Sequence, residues 1–303
     1  MIVSDLSCSE LCYLLETDGI KIEIGPFVIG LVSDIPDVAQ NIHVLYSQYV
    51  LSESAFVDFY IRLKKPTGFR RFIRPQVNFD FDGMIPFKPL PYAQSFALFE
   101  WGLNWCVASY AHQYLILHSA VVERNGYAAI LPGNPGAGKS TLCAALIHHG
   151  WRLLSDEMSL ISPGSLSLVP IPRPVSLKNE SIDVISSFVK NVQFGLLADD
   201  THKGKITHIK APSESIVQSS IAVEPKWMIF PRYKSDVSLR LSDLKKGTSF
   251  IWAAEQGFNY NVLGEDGFNL LGDLISKVDT YELEYSVLDE AIEAFDSLAE
   301  AVK

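Results

Sequence analysis

One nine-residue stretch constrains the folding of this 303-residue chain more than any other. It follows an apolar run at residues 127–131 that is typical of a buried strand, and a run typical of a helix begins at residue 141. Between a strand and a helix, the pattern G-x-x-x-x-G-K-[ST] predicts a phosphate-binding loop, because its glycines let backbone N–H groups face an anion and the helix N-terminus adds its dipole. The alternative is a glycine-rich turn that merely matches the pattern. The predicted loop consists of Gly133, Asn134, Pro135, Gly136, Ala137, Gly138, Lys139, Ser140 and Thr141.

The chemistry of such a loop assigns roles to two of its side chains. Lys139 is expected to reach the outer phosphates of a nucleotide, and Ser140 to hold a magnesium ion. We therefore expect ATP and Mg²⁺ as the cofactors.

An acidic pair, Asp156 and Glu157, follows the predicted loop helix. A helix of about ten residues rises about 15 Å, and four or five extended residues return about the same distance. The pair should therefore lie at the phosphate edge of the sheet, at the end of a strand parallel to the first. One carboxylate there can hold magnesium while the other takes a proton from an attacking hydroxyl. The alternative is a surface pair that simply caps a strand.

These pieces resemble the HPr kinase/phosphorylase family in their order. In that arrangement a histidine precedes the phosphate loop and acids follow its helix, as His118 and the pair Asp156 and Glu157 do here. The chain looks closest to the HPr-kinase-related (type A) kinases. Further similar segments are residues 99–106, 172–174, 201–208 and 227–233. The resemblance implies an α/β fold with a phosphate-loop kinase core of the HPr kinase/PEP carboxykinase type.

The resemblance also implies an activity. It predicts transfer of the γ-phosphate of ATP to a hydroxyl, a serine of a peptide or protein, with a small peptide-binding protein as a possible associate. Under this hypothesis Asp156 acts as base, His118 positions the acceptor, and Ser140, Asp156 and Glu157 hold magnesium. Glu157 stands where the family has a second aspartate and the family's second signature segment is not found, so efficient phosphorolysis is not expected.

Two segments farther along the chain supply more candidate site residues. Arg173 lies between two prolines, which stiffen its loop and favour a held guanidinium that balances phosphate charge. Residues 198–212 are polar and basic, as is typical of a mobile loop, and the resemblance implies that Lys203 and His208 in it act as a lid over substrate. A merely solvated loop is the alternative.

Composition separates the chain into two predicted units. Residues 1–90 form an N-terminal β-rich region, with strands expected near residues 20–32 and 57–64 and a return strand at 69–73, and residues 91–303 form the phosphate-loop kinase domain. A helix of about twenty residues should follow the proline-rich connector at 86–91. Trp101 and Trp105 lie off its apolar stripe and should fill the junction between the units, with a platform for a nucleotide base as the alternative. Residues 62–74 carry a basic patch, which could hold an acidic substrate or be a solvated strand face.

Charge and hydropathy exclude some partners. The formal net charge of −10 argues against nucleic acids and anionic membranes. No apolar run approaches the roughly 20 residues that span a bilayer, so a cytoplasmic protein is predicted, with oligomers possible. Two competing functions stay open: a nucleotide-binding regulatory protein with little transfer activity, which would need no base at Asp156, and a kinase of small-molecule hydroxyls. A carboxykinase-like enzyme would need a further histidine and lysine ligand set that the sequence does not show.

Overall fold

The computed structural model describes residues 1–66 and 74–302, which form a mixed α/β fold with several sheets. The helices are, in chain order, α1 (Cys8–Glu16), α2 (Pro36–Leu45), α3 (Ser95–Tyr110), α4 (Lys139–His148), α5 (Glu180–Phe188), α6 (Ser213–Val217), α7 (Lys246–Ala254), α8 (Tyr260–Lys277) and α9 (Leu288–Glu300). The strands are β1 (Ile20–Ile24), β2 (Phe27–Ser33), β3 (Phe59–Lys64), β4 (Gln76–Phe81), β5 (Leu90–Pro91), β6 (Leu115–Leu117), β7 (Ser119–Arg124), β8 (Tyr127–Pro132), β9 (Arg152–Ser155), β10 (Ser159–Ile161), β11 (Leu168–Val169), β12 (Val175–Lys178), β13 (Ala198–Thr201), β14 (Gly204–Ile209), β15 (Glu224–Tyr233), β16 (Arg240–Asp243) and β17 (Asp279–Tyr285).

The N-terminal region contains a five-stranded sheet in the order β1-β2-β3-β4-β5. The strands predicted near residues 20–32 and 57–64 are confirmed as β1, β2 and β3. The predicted return strand at residues 69–73 lies outside the described residues, and β3 pairs antiparallel with β4. The region also holds α1 and α2, which the sequence reasoning did not predict. The domain boundary near residue 90 stays a prediction.

A six-stranded sheet in the order β16-β17-β15-β8-β7-β9 positions the phosphate-loop motif. Strand β8 is parallel to β15 and antiparallel to β7. Because β9 is also antiparallel to β7, it runs parallel to β8, as predicted, although β7 lies between them. Ala128 and Ile130 of β8 pack into one core cluster, while Ala129 and Leu131 pack into the other. Burial on both faces explains the continuous apolar run of β8.

Two three-stranded sheets, β11-β10-β6 and β12-β14-β13, flank this arrangement. The second corrects an expectation, because most of residues 198–212 form the hairpin β13–β14 instead of an irregular mobile loop. Ile206, Thr207, His208 and Ile209 are buried on β14. These four buried residues are consecutive and two of them are polar, so they show no period-two alternation from which the sequence could predict a strand.

The helix after the connector is α3, sixteen residues long instead of about twenty. Phe96, Phe99 and Leu103 are buried on its apolar stripe. Both tryptophans contact the Phe87 ring, at 4.2 Å between centroids for Trp101 and 5.3 Å for Trp105, while Trp101 is 46% exposed. Their role at a junction between two units stays a prediction. Within the described part of the chain, no helix combines the length and apolar character needed to cross a membrane.

Candidate phosphate-transfer site

The phosphate-loop motif connects the end of β8, at Pro132, with the start of α4, at Lys139. Gly138 has φ +90°, and a Cβ there would meet the Tyr285 hydroxyl oxygen at 2.6 Å, so both backbone and space require glycine. The Tyr285 hydroxyl donates to the Gly138 carbonyl at 3.3 Å. The Gln256 Nε2 donates to Asn134 Oδ1 at 3.0 Å. The loop is therefore held by residues from β17 and from the segment after α7.

Lys139 is buried and directed at its own loop. Its Nζ donates to the carbonyl oxygens of Gly133 at 2.5 Å and Asn134 at 3.3 Å. Burial lowers the pKa of Lys139, and the opposing effects of Glu157 and Asp156 show that both acids lie within electrostatic range of the ammonium. The loop lysine and the acidic pair thus lie within electrostatic range of each other.

Asp156 follows β9 and is 5% exposed. Its Oδ2 accepts the Ser176 backbone N–H at 3.1 Å, while its Oδ1 is buried without a hydrogen-bond partner in the described protein. Burial, and then the neighbouring Glu157 charge, raise the pKa of Asp156, whereas Ser176, Lys178 and the Ser140 hydroxyl lower it. This carboxylate has one fixed oxygen and one free oxygen beside the end of the phosphate loop.

Glu157 lies in the opposite electrostatic environment. Its Oε2 is 3.5 Å from His118 Nε2, and its Oε1 is 3.9 Å from Lys178 Nζ. Burial raises the pKa of Glu157, but His118, Lys178 and Arg173 together outweigh burial and lower it. Neighbouring carboxyl groups whose pKa values move apart are typical of sites that divide acid–base roles between them. Glu157 stays ionised, and Asp156 is the group suited to proton exchange near neutral pH.

His118 occupies the predicted place beside the acids. Its backbone N–H donates to the Gln256 carbonyl at 2.7 Å, and its ring lies 5.6 Å from that of Phe258. Its imidazole is therefore fixed between Glu157 and the segment that follows α7.

Arg173 is not directed at the loop. Its Nη1 lies 3.2 Å from Glu100 Oε2, and its Nη2 bonds Asn104 Oδ1. The Tyr46 hydroxyl donates to the other Glu100 oxygen at 2.5 Å. The guanidinium thus completes a buried network between α2, α3 and the segment before β12, and its charge reaches Glu157 only through space.

The two predicted lid residues, Lys203 and His208, lie in different environments. Lys203 lies at the exposed turn of the β13–β14 hairpin, where its carbonyl accepts Asn179 Nδ2 at 3.0 Å. His208 is buried on β14 opposite Ser176 of β12, and burial lowers its pKa to about 3, against the raising effect of Glu157. The structure brings His208 to the acidic pair and leaves Lys203 outside it.

Sequence reasoning missed several residues that complete the site. Lys178 lies beside Glu157, Ser176 fixes Asp156, and Gln256 and Tyr285 hold the loop. The only sequence signal was that Ser176 and Lys178 share one face of a short apolar strand that follows a proline-flanked arginine.

The residues present fit a magnesium ion. Asp156 Oδ1 is a buried oxygen without a partner, and the Ser140 hydroxyl lies close enough to lower the pKa of Asp156. No group of three or more His, Cys, Asp or Glu side chains in the described ranges could hold a metal by itself. Magnesium is commonly held by one or two carboxylates together with substrate phosphates, so this small oxygen set is of the right kind.

Comparison with known proteins does not assign this chain to a family by its sequence. No family model matches the chain, and no curated protein matches it. Among solved structures, the chain is similar to the Hpr(Ser) kinase/phosphatase from Coxiella burnetii, with 12% identity, a TM-score of 0.28, and coverage of 61% of this chain and 98% of that chain. A similarity this distant carries no argument about activity, so the function has to be argued from the residues of the site.

Proposed function

We propose that this chain is an ATP-dependent kinase that transfers the γ-phosphate of ATP to a hydroxyl group, a serine of a peptide or protein acceptor. The observation that carries the proposal is the buried Asp156 carboxylate: its Oδ1 has no hydrogen-bond partner in the described protein, its Oδ2 is fixed by Ser176, and the Ser140 hydroxyl is near enough to lower its pKa. A protein that only binds nucleotide needs the loop but not this carboxylate.

The loop binds the phosphates of ATP. The N–H groups of the first turn of α4 have no intrahelical acceptor and point towards the loop, so they can bind phosphate oxygens. Lys139 exchanges the carbonyls of Gly133 and Asn134 for the outer phosphates. Ser140 with Asp156 and Glu157 would hold magnesium, which would supply positive charge to the phosphates of the nucleotide.

The acceptor loses its proton to Asp156. As the hydroxyl oxygen bonds to the γ-phosphorus, the bond from that phosphorus to the β,γ-bridging oxygen breaks, ADP leaves, and the hydroxyl proton goes to the Asp156 carboxylate. Glu157 keeps its charge and orients His118, which positions the acceptor. Lys178 and, through space, Arg173 limit the negative charge that accumulates at the acidic pair.

The test is transfer of labelled phosphate. The purified protein is incubated with γ-labelled ATP and a cell extract, and the labelled species is identified by mass spectrometry. Lys139→Ala should lose ATP affinity, because it removes phosphate charge. Asp156→Asn should keep ATP affinity within a few-fold and lose turnover by about a hundredfold or more, the usual scale for loss of a general base.

Three outcomes separate the competing functions. A labelled protein or peptide supports the proposal. A labelled small molecule supports a small-molecule kinase on the same site. Tight ATP binding with no transfer supports a nucleotide-binding regulatory protein. Equal turnover in wild type and Asp156→Asn contradicts the role of Asp156 as the base.

A further inference from the structure

A second cavity lies apart from the phosphate loop. It has a volume of about 290 Å³ and is enclosed by α2, the start of α3 and the β13–β14 hairpin. Its walls include Asp37, Asn41, Ser95, Phe96, Leu197 and His208. None of the roles described above uses this space.

Two polar groups in the wall have no partner. The Ser95 side chain is 1% exposed, and its Oγ makes no hydrogen bond with the described protein. A buried hydroxyl without a hydrogen-bond partner destabilises the folded state, so a ligand that pairs with it is favoured. The Asp37 carboxylate, half-buried at the edge of the cavity, makes neither a hydrogen bond nor an ion pair to any side chain in the described ranges. Both groups are free to bind the same ligand.

The charge of the cavity favours a cation. No lysine or arginine is among its described wall residues, and His208 is neutral because burial lowers its pKa to about 3. The exposed acids Asp199 and Asp200 lie near the rim, where their backbone carbonyls accept the Gln94 side-chain amide at 3.5 and 3.1 Å. Lys178 and Arg173 act on His208 through space but do not line the cavity, so a positively charged group finds one free carboxylate and no lysine or arginine among the described wall residues.

The remaining wall is apolar. Leu196 and Leu197 are 40% and 45% exposed at the opening, and Phe96 and Ile206 are buried inside. An arginine or lysine side chain suits such a surface, because its methylene stem packs on apolar groups while its charged end reaches a polar one.

The cavity is also close to the acidic pair. His208 in its wall is paired across the sheet with Ser176, and the Ser176 N–H donates to Asp156 Oδ2 at 3.1 Å. Neighbouring strands lie about 5 Å apart, and an extended peptide advances about 3.3 Å per residue. A peptide with its hydroxyl at Asp156 would thus reach the cavity with a side chain about two to four residues away.

We propose that this cavity binds the cationic side chain of an arginine or lysine in the acceptor peptide, a few residues from the hydroxyl that receives the phosphate. Binding of a cation is inferred from the cavity alone. That the cation belongs to an acceptor peptide depends on the proposed kinase activity.

The experiment measures binding without nucleotide. The isoleucine and leucine methyl groups of the full chain are labelled for NMR, and N-acetyl-arginine amide is titrated in parallel with N-acetyl-citrulline amide, its uncharged isostere. The methyl signals of Leu197 and Ile206 should shift saturably with arginine, while the buried Ile275 in the other core cluster should not respond. Citrulline should bind about tenfold or more weakly, because it lacks the charge that strengthens a hydrogen bond to Asp37.

Variants identify the groups responsible. Asp37→Asn should remove the preference for arginine over citrulline, and Asp289→Asn, at an exposed acid on α9, should keep it. Equal binding of the two probes, no saturable shift at Leu197 and Ile206, or an unchanged preference in Asp37→Asn would each overturn the proposal.

The result is separable from that of the kinase assay. Arginine binding that depends on Asp37, found together with an absence of phosphate transfer, would keep the cavity as a cation site and reject the kinase. Once transfer is observed, serine peptides with arginine two to four residues from the serine should have a KM about tenfold below that of citrulline peptides, with kcat nearly equal. Asp37→Asn should abolish this difference.

Discussion

His208 makes the stability of this protein depend on pH in a way that a single substitution should reveal. The imidazole is buried on β14, edge-on to the Phe96 ring at 5.3 Å between centroids, and charged neighbours reach it only through space. Glu157 raises its pKa, Lys178 and Arg173 lower it, and burial dominates, so the pKa falls from 6.5 to about 3. We expect His208→Gln to remove this dependence, because glutamine is polar but does not titrate.

The sign and size of the effect follow from proton linkage. The unfolded chain binds a proton at His208 near pH 6.5, whereas the folded protein resists binding it until about pH 3. The stabilisation is therefore complete above the unfolded pKa and is lost progressively as pH falls through this window. Between pH 7 and pH 5 the loss is about 2 kcal/mol of the free energy of unfolding, and over the whole window about 5 kcal/mol.

The measurement is urea unfolding of both proteins at several pH values, without nucleotide or metal. Asp156 and the other carboxylates titrate in both proteins, so the difference between wild type and His208→Gln isolates the histidine. That difference should shift by about 2 kcal/mol in favour of the variant from pH 7 to pH 5. A difference that stays constant across this range would show that His208 titrates alike in both states and would refute its buried, neutral form.

Three further substitutions test the loop and the buried ion pair. Gly138→Ala should weaken ATP binding strongly, because it combines a left-handed backbone with a Cβ 2.6 Å from the Tyr285 hydroxyl. Gly136→Ala, whose φ is +87° with open space around it, should incur only the backbone cost of about 1–2 kcal/mol; equal losses of ATP affinity in the two variants, by calorimetry, would contradict this reasoning. Arg173→Ala leaves Glu100 buried without its ion partner and should lower the free energy of unfolding by about 3–5 kcal/mol. A urea-unfolding loss below about 1 kcal/mol, found together with lost turnover, would instead place Arg173 at the phosphates.

Local patterns predicted the part of the site that is local in sequence. The strand at residues 127–132 and the helix at residues 139–148 are confirmed, because a buried apolar run and a helical run agree with the structure. Phosphate binding by the loop between them stays a prediction. The return of Asp156 and Glu157 to this edge followed from lengths alone. Periodicity could not show that β7 lies between β8 and β9, since strand order depends on contacts between distant segments.

The sequence could not predict contacts between side chains that come from distant segments of the chain. Arg173 was expected at the phosphates because the flanking prolines restrict its backbone. A restricted backbone does not determine which group the guanidinium binds. Its ion pair with Glu100 depends on how α3 packs, seventy-three residues away. Composition also misled at residues 198–209, because exposed acids and lysines dominate the segment, and the buried residues 206–209 are consecutive and so lack the alternation that predicts a strand.

The nearness of His118 to the phosphate loop has a sequence signal that motif reading does not use. Asn125 and Gly126 have φ of +58° and +84°, the conformation of a tight hairpin turn for which Asn-Gly is the preferred sequence. A two-residue turn there fixes the register of β7 and β8, so that Ser119 lies opposite Pro132. The residue before Ser119 and the residue after Pro132 must then be neighbours, and they are His118 and Gly133. The turn that determines the register of this hairpin therefore lies at the end of the hairpin opposite to His118. An insertion between Asn125 and Gly126 should displace His118 from Glu157 without changing any residue of the loop or the acidic pair.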